Sequence, residues 1–270
     1  MILFLTYHKV ARRGQAAGDF YTVSEDALER QLEMVRENGF QFLAPEEILM
    51  WRTTEVKQQT ASSRQPSPPK EEREKAPEAV CIPSFDDGTA DHFDVVVPLL
   101  ERRKCRALFF VPTARLNRPK YLTTQQLVAM RRAGHTVGSH SHEHERLDRL
   151  AEEDVRVQLE ISRQILSDAL GAPPRFFAPP GGYFSALVQR VAIEQDLTVI
   201  RTMRWGYNHR PVLASLECVP INRNVTEVEF RRVLEGRDLR LAYAGKQLAK
   251  SLVPGWLYEK LRGSASNVLR

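Results

Sequence analysis

The sequence predicts an α/β protein built on a mostly parallel sheet, either doubly wound or closed into a barrel. Apolar strand-like runs alternate with amphipathic helix-like segments along most of the chain. Clusters of polar residues, two of them rich in carboxylates or histidines, directly follow several of these strands. In both architectures ligands bind at the carboxyl ends of the strands, so we expect these clusters to carry the chemistry.

The chain opens with a strand and an amphipathic helix. The apolar run Ile2–Tyr7 predicts a buried strand. Ser24 is of the residue type preferred at a helix N-cap, and Gly39 is of the type that ends a helix. The helix between them would present one apolar face, made by Leu28, Leu32 and Val35.

A polar segment then interrupts the pattern. Residues 53–78 contain almost no large apolar side chains and are rich in Pro, Ser, Gln, Lys and Glu, which predicts a disordered insertion. Beyond it, strands and helices alternate again. We predict strands at Val80–Phe85, 107–111, 135–139, 176–178 and 197–200, and helices at 93–103, 124–133 and Glu152–Leu170, with one more helix between the last two strands.

The positive charge is concentrated at the end of the sequence. The formal net charge is +5, and residues 237–270 carry seven Lys or Arg against Asp238 and Glu259. We interpret residues 1–236 as the main domain and residues 237–270 as a basic helical tail, which either packs on that domain or contacts an anionic membrane face. A basic tail without a basic domain does not favour nucleic-acid binding.

Cysteine usage and hydropathy predict a cytoplasmic protein. Cys81, Cys105 and Cys218 lack the spacing of a zinc knuckle or a redox pair, so we expect buried thiols in a reducing compartment. No run approaches the roughly 18 apolar residues of a membrane span, and the first residues lack the pattern of a secretion signal. Peripheral contact with the inner face of the membrane, through the basic tail, is the alternative.

Two adjacent carboxylates follow the strand that ends at Phe85. Asp86 and Asp87 precede Gly88, and an Asp-Asp-Gly sequence is also an ordinary turn. Successive residues of an extended chain point in different directions. One carboxylate could therefore bind a metal while the other faces a substrate, a division that suits hydrolysis.

Three histidines follow a later strand within five residues. If the backbone became helical after residue 139, His140 and His144 would share one face and could bind one metal, while His142 would point elsewhere. A solvated polar loop is the alternative. Asp, His and His form a nitrogen and oxygen donor set with open positions, which favours Zn²⁺ or a similar divalent ion.

A third cluster, Pro180-Gly181-Gly182-Tyr183, follows the strand at 176–178. Proline followed by two glycines gives a rigid entry into a loop whose backbone can approach a ligand closely. By itself the cluster indicates only a turn.

These three motifs together resemble the polysaccharide deacetylase family, carbohydrate esterase family 4, also known as the NodB homology domain. The resemblance rests on SFDDG at 84–88, HSHEH at 140–144 and FFAPPGG at 176–182, supported by LTYHKV at 5–10 and LAPEEIL at 43–49. It implies a distorted (β/α) barrel of about seven strands, with the site at the carboxyl ends of the strands.

The resemblance also assigns roles by position. It implies that Asp86 is the general base and that Asp87, His140 and His144 are the metal ligands. Ser141 would support the neighbouring turn or a ligand. The implied cofactor is a divalent metal, Zn²⁺ first, with Co²⁺, Ni²⁺ or Mn²⁺ as alternatives.

The sequence departs from the family pattern at two points. Many members carry an arginine before the Pro-Pro of the third motif, where this chain has Ala178, and a general-acid histidine in a late strand, where this chain has no histidine beyond His209. A circularly permuted bacterial subset carries the acid in a Tyr-His pair on the first strand. Tyr7-His8 matches that pair, so we predict His8 as the acid, with a hydrogen-bonded structural histidine as the alternative. Arg201, or less favourably Arg223, is predicted to replace the missing arginine.

The resemblance thus implies hydrolysis of an N-acetyl group from an amino sugar of a polysaccharide, oligosaccharide or glycan precursor, as in exopolysaccharide biosynthesis. A backbone N–H near Gly181 or Gly182 would hold the oxyanion, and Tyr183 and Trp205 are sugar platforms or simple packing residues. O-acetyl esterase or N-deformylase activity at the same site and non-catalytic glycan binding are the alternatives.

Overall fold

A computed structural model describes residues 1–16, 18–49 and 79–236. The predicted insertion at 53–78 and the predicted basic tail at 237–270 lie outside the described residues.

The described chain alternates strands with helices. The strands are β1 Ile2–Tyr7, β2 Lys9–Ala11, β3 Thr22–Ser24, β4 Gln41–Phe42, β5 Val80–Phe85, β6 Leu108–Val111, β7 Thr136–Ser139, β8 Phe176–Phe177, β9 Val199–Trp205 and β10 Leu216–Pro220. The α-helices are α1 Glu25–Glu37, α2 Val97–Arg102, α3 Thr124–Arg132, α4 Glu152–Leu170, α5 Ala186–Glu194 and α6 Glu227–Leu234. Among these helices none is long and apolar enough to span a membrane.

Seven parallel strands close into a barrel. Around the ring the order is β1, β5, β6, β7, β8, β9 and β10, and β1 closes the ring by pairing with both β5 and β10. The short strand β4 pairs with the beginning of β5, and β2 and β3 form a separate two-stranded sheet. This closure confirms the barrel and excludes the doubly wound alternative.

Alternate residues of the strands pack inside and outside the barrel. In β1, Ile2 and Phe4 belong to one core cluster, which also contains Ile82 and Phe110 from neighbouring strands. The residues between them belong to a second cluster that includes the apolar face of α1, so this second cluster lies between the strands and the helices. Its members from β1 and α1 are Leu3, Leu5, Tyr7, Leu28, Leu32 and Val35.

The helix boundaries follow from local chemistry. The Ser24 side chain accepts a hydrogen bond from the Ala27 amide at 3.1 Å, which confirms the predicted N-cap of α1. The segment predicted as a helix at 93–103 is helical, but it begins as a π-helical turn, His92–Val96, which continues into α2. Pro98 in the first turn of α2 has no N–H to give to the preceding turn.

Candidate metal and catalytic site

Two loops at the carboxyl ends of β5 and β7 bring the predicted metal ligands together. Asp87 follows β5 by two residues and has a left-handed backbone, with φ 78°, which an aspartate tolerates better than most residues. His140 follows β7 directly, and the loop after it is not helical. Ser141 and His144 have φ values of 62° and 65°.

The expectation that His140 and His144 share a helix face is therefore wrong, although the two side chains still meet. The β7 loop is folded back by its own hydrogen bonds and by those of the β6 loop. The Ser141 hydroxyl accepts from the His144 amide at 3.2 Å, which is the supporting role predicted for it, and the Ser141 carbonyl accepts from the Thr113 amide at 3.2 Å. The result places the two imidazole centroids 4.9 Å apart. His142 points elsewhere, with its Nδ1 2.9 Å from the Thr113 hydroxyl.

Three donor atoms converge on one position. The His144 Nε2 lies 2.8 Å and the His140 Nε2 lies 3.7 Å from the Asp87 Oδ1. One ligand atom from each residue lies within 4.8 Å of the others. In the described part of the chain this is the one cluster of three or more such donors that could hold a metal ion.

The protonation states of these residues fit a divalent cation. The His140 Nδ1 donates to the Ala178 carbonyl at 2.6 Å, which leaves its Nε2 as a lone-pair donor toward the cluster. Burial, together with His144 and Arg201, lowers the pKa of His140 to about 4 against the opposing effect of Asp86 and Asp87, so this imidazole is neutral at pH 7. Burial would raise the pKa of Asp87, but the His144 hydrogen bond and the nearby histidines hold it below its ordinary value. A neutral imidazole and an ionised carboxylate are the forms that bind metal.

Asp86 points to the other side of the loop, into the barrel. Its side chain is 3% exposed and forms an ion pair with the Arg201 guanidinium, which is 1% exposed. Burial would raise the pKa of Asp86, but Arg201, His140 and His8 outweigh that effect, so the carboxyl is ionised. The structure thus brings the predicted base and the predicted replacement arginine together.

Other contacts hold the Arg201 guanidinium in place. It lies over the Phe110 ring, 4.9 Å from the centroid, and its Nη1 donates to the Met203 sulfur at 2.9 Å. Arg223, the second candidate, donates instead to the Gly18 carbonyl at 3.2 Å. Arg201 of β9 thus supplies the guanidinium that, by the resemblance, many family members place at the position of Ala178.

His8 follows β1 directly and borders the same site. Its ring packs on Tyr21, with centroids 4.9 Å apart, and its Nδ1 is buried without a hydrogen-bond partner. Burial lowers the pKa of His8, Asp86 and Asp87 oppose that effect, and Arg201 and His92 add to it. The His8 carbonyl lies 2.5 Å from the His92 Nε2, so the backbone of the Tyr-His pair is anchored while its ring nitrogen is left for other partners.

The third motif forms a tight turn after β8. Pro180–Gly182 is a 3₁₀ turn in which the Gly182 amide donates to the Pro179 carbonyl at 3.0 Å. Because this bond occupies the Gly182 N–H, Gly181 is the better candidate for an oxyanion donor. The Tyr183 ring is covered by the Arg146 guanidinium at 3.4 Å from its centroid, and Trp205 packs edge-on to Tyr207 at 5.4 Å. Both aromatic residues thus have packing partners.

Sequence reasoning missed three residues near this site. Met203 and Cys218 lie behind Arg201, and Arg115 reaches the edge of the ligand cluster. Arg115 follows β6, and a lone arginine after a strand has no motif that would single it out. Met203 belongs to the part of β9 beyond residue 200 that the sequence did not predict as strand.

The fold and the donor set define a class: a closed parallel barrel with one carboxylate and two imidazoles clustered at the carboxyl ends of its strands. Residues 73–200 match the family described as polysaccharide deacetylase. The matched residues contain all three motifs on which the resemblance to this family rests.

Individual proteins resemble parts of the chain. Chitin deacetylase 1 of Cryptococcus neoformans is 29% identical over 43% of this chain and 24% of its own length. A peptidoglycan-N-acetylglucosamine deacetylase of Bacillus cereus is 27% identical over 50% of this chain and 60% of its own length. Among solved structures, the Streptococcus pyogenes deacetylase PplD in complex with acetate superposes with a TM-score of 0.68 at 21% identity, covering 88% of this chain and 98% of that one. The chain spans about a quarter of the first curated relative, and the structural likeness shows the fold.

Proposed function

We propose that this chain hydrolyses the N-acetyl group of an amino sugar in a polysaccharide, oligosaccharide or glycan precursor and releases acetate. The observation that carries the proposal is the Asp87, His140 and His144 donor cluster beside the buried Asp86–Arg201 pair. The similarity to a chitin deacetylase and to a peptidoglycan-N-acetylglucosamine deacetylase supports an N-acetyl substrate over an O-acetyl or N-formyl one.

Asp87, His140 and His144 would hold a divalent metal, with Zn²⁺ the first choice for a donor set of two imidazoles and a carboxylate. When bound, such an ion supplies a Lewis acid that acidifies water and polarises the acetyl carbonyl. Asp87 would contribute a negative charge to the donor set, and the hydrogen bond to the Ala178 carbonyl fixes the tautomer of His140.

Asp86 is the proposed general base. Its depressed pKa keeps it ionised, and the Arg201 guanidinium fixes the direction in which the carboxylate points. A base that is already oriented does not have to lose rotational freedom when the water attacks, which is the advantage of positioning in catalysis.

His8 is the proposed acid for the departing amine. It lies at the end of β1, close enough to both carboxylates for their charges to influence its pKa. Its buried Nδ1 has no hydrogen-bond partner among the described residues. The Gly181 amide is the proposed donor to the developing oxyanion.

The decisive experiment combines metal analysis with acetate release from N-acetylated oligosaccharides, lipid-linked sugars and nucleotide sugars. Asp87→Ala should lose both metal and activity, because three protein ligands leave no spare donor. Asp86→Asn should keep stoichiometric metal and lose most turnover, because the amide cannot accept a proton. Asp168→Asn, at an exposed position of α4 where the carboxylate accepts from Gln164, is the matched control and should change neither.

Two outcomes would contradict the proposal. An Asp87→Ala protein that retains stoichiometric metal would refute the ligand assignment. Faster release from matched O-acetyl or N-formyl glycans than from the N-acetyl glycan would reassign the acyl group while leaving the site in place.

A further inference from the structure

Arg115 stands out among the arginines close to the candidate site because its guanidinium has no hydrogen-bonded protein acceptor in the described structure. Arg201 is paired with Asp86, and Arg146 donates to both oxygens of Asp148 at 3.1 and 2.7 Å. The carboxylate that Arg115 approaches is Asp87, at 4.0 Å, which is beyond hydrogen-bonding distance.

The position of the Arg115 side chain is nevertheless fixed. Its guanidinium lies over the Tyr121 ring, 5.4 Å from the centroid, and Tyr121 is held by a β-bridge to Thr89, in the loop that carries Asp87. Arg115 follows Thr113, whose amide is bonded to the Ser141 carbonyl in the histidine loop. A stacked guanidinium keeps its five N–H donors in one plane, and 29% of the side chain is exposed at the edge of the site.

Charge balance indicates what those donors would bind. Asp87 is surrounded by His144, His140 and Arg115 at 2.8, 3.7 and 4.0 Å. If Asp87 is committed to a divalent ion, as the proposed function requires, one carboxylate faces two positive charges from the ion and one from Arg115. Excess positive charge with unused donors attracts an anion, and a guanidinium matches the planar geometry of a carboxylate or phosphate.

We propose that Arg115 is a substrate-recognition residue that binds an anionic substituent, a carboxylate or a phosphate, carried by the glycan next to the acetamido group. The inference rests on the proposed function and narrows its substrate to acidic amino-sugar glycans. Binding of the anion would give the substrate a second point of attachment and so hold its acetamido group over the ligand cluster.

Binding and turnover can be measured separately on the full chain. The substrates are N-acetylglucosamine tetramers that are neutral, or carry a carboxylate or a phosphate at C3 or at C6. Binding is followed by calorimetry with Asp86→Asn protein loaded with Zn²⁺, in which turnover is blocked, and kcat and KM are measured with the otherwise native chain.

The Arg115→Gln change should weaken binding of an acidic tetramer about 10- to 100-fold, because hydrogen bonds to a charged group typically contribute that much to affinity. The KM for the acidic tetramer should rise by the same factor. Binding of the neutral tetramer should change less than threefold. Arg118→Gln, three residues along the same loop and exposed, removes an equal charge and should have no such effect. The carboxylate and phosphate series decide which anion is preferred.

Three results would overturn the inference. In the native chain, acidic and neutral tetramers of equal affinity would remove the anion subsite while leaving the proposed function intact. A fall in Zn²⁺ affinity in Arg115→Gln, with equal losses on neutral and acidic tetramers, would mean that Arg115 only positions Asp87. A fall in kcat on the neutral tetramer without a change in KM would make Arg115 an oxyanion donor.

Discussion

Neighbouring residues of this site have different partners because their side chains point in different directions. Asp86 and Asp87 are neighbours in sequence, yet Asp86 pairs with Arg201 inside the barrel and Asp87 faces two histidines at its rim. The left-handed backbone of Asp87 produces this divergence. The two carboxylates diverge as predicted, although Asp87 is not in an extended conformation.

His8 can be tested as the acid by changing the leaving group. His8→Ala should slow hydrolysis of an N-acetyl amide by about 10²- to 10⁴-fold, because an amine leaves poorly without a proton. An acetate ester with a good leaving group should be affected much less. His209→Ala, at an exposed position, is the control. Equal losses on amide and ester would show that His8 is not the acid.

His135 makes the stability of the fold sensitive to acid. Its Nδ1 accepts from the Ala107 amide at 3.2 Å, and burial followed by the charge of Arg106 lowers its pKa to about 4. Protonation would place an N–H against the Ala107 N–H. Because the folded pKa lies below the unfolded value of about 6.5, the unfolded state takes up the proton first as the pH falls. The contribution of His135 is therefore complete above about pH 6.5 and is lost as the pH falls toward 4.

The His135→Asn variant keeps an acceptor near the Nδ1 position and removes the titration. Between pH 7.5 and pH 5 the native chain should lose about 2 kcal/mol more unfolding free energy than the variant. Urea unfolding at the two pH values measures this difference, and the other buried histidines cancel because both proteins contain them. Parallel stability curves for the two proteins would refute the assignment.

At the scale of elements, the turn after β8 and the strand β9 depend on each other. Gly182 has φ 72°, and a Cβ on it would overlap the Cβ and Cγ of Met203, whose sulfur accepts from Arg201. Gly171 ends α4 with φ 71°, but a Cβ there would meet no atom within 4 Å. The two glycines have the same backbone strain and differ in their neighbours.

We therefore expect Gly182→Ala to impair turnover and Gly171→Ala to leave it unchanged. Both substitutions should lower the free energy of unfolding by about 1 kcal/mol, because alanine is strained in a left-handed backbone. Gly182→Ala should additionally displace Met203 and disturb Arg201, which would lower kcat by about tenfold or more, on the scale of a loss of positioning. Steady-state kinetics and thermal unfolding of the two variants separate the effects, and equal activity in both would show that the Met203 contact is unimportant.

The elements that the sequence predicted are those with an uninterrupted pattern. The strands β1, β5, β6 and β7 and the helix α4 follow from apolar runs and apolar periodicity. The strand β9 continues to Trp205, beyond the predicted end. The prediction stopped short because Arg201 is charged and so breaks the apolar pattern, although it is buried in an ion pair with Asp86. The strand β10 and the helix α6 were missed because both are short: β10 has five residues with Glu217 among them, and α6 has eight, so neither gives a sustained apolar pattern. Local pattern cannot reveal a charge that is neutralised from 115 residues away.

At the scale of the whole molecule, Asn208 adds hydrogen bonds across the closing strands β1 and β10, at the end of the barrel opposite the candidate site. The backbone of Asn208 exchanges two hydrogen bonds with Ile2 at 2.9 and 3.0 Å. Its side-chain amide donates to the carbonyls of Ile2 and Glu217, at 3.2 and 2.9 Å, and accepts from the Glu217 amide at 2.9 Å. Asn208 thus joins the start of β1 to β10. Pattern reasoning could not choose between an open sheet and a barrel, because that choice rests on pairings such as these, more than 200 residues apart in sequence.

Removing these hydrogen bonds of Asn208 should destabilise the fold and leave metal binding at the candidate site intact. Asn208→Ala leaves buried backbone groups of Glu217 unpaired, and we expect the unfolding free energy to fall by about 2 to 4 kcal/mol. Metal binding by Asp87 and its two histidine partners should persist below the melting temperature. Asn224→Ala, at an exposed turn, is the control. Unfolding in urea measures the effect, and a loss under 1 kcal/mol would mean that the strands close the barrel without this residue.

The pairing of β1 with both β5 and β10 determines the order in which the fold can be completed during translation. As the chain leaves the ribosome, β5 can pair with β1, and β6 to β9 can then add one at a time, each beside its predecessor. The second edge of β1 has no partner until Leu216–Pro220 has emerged. For most of its synthesis the nascent protein therefore presents two open strand edges, the state in which β-sheets are most prone to aggregate. A stalled or truncated product ending before residue 216 should consequently be a substrate for chaperones rather than a smaller soluble enzyme.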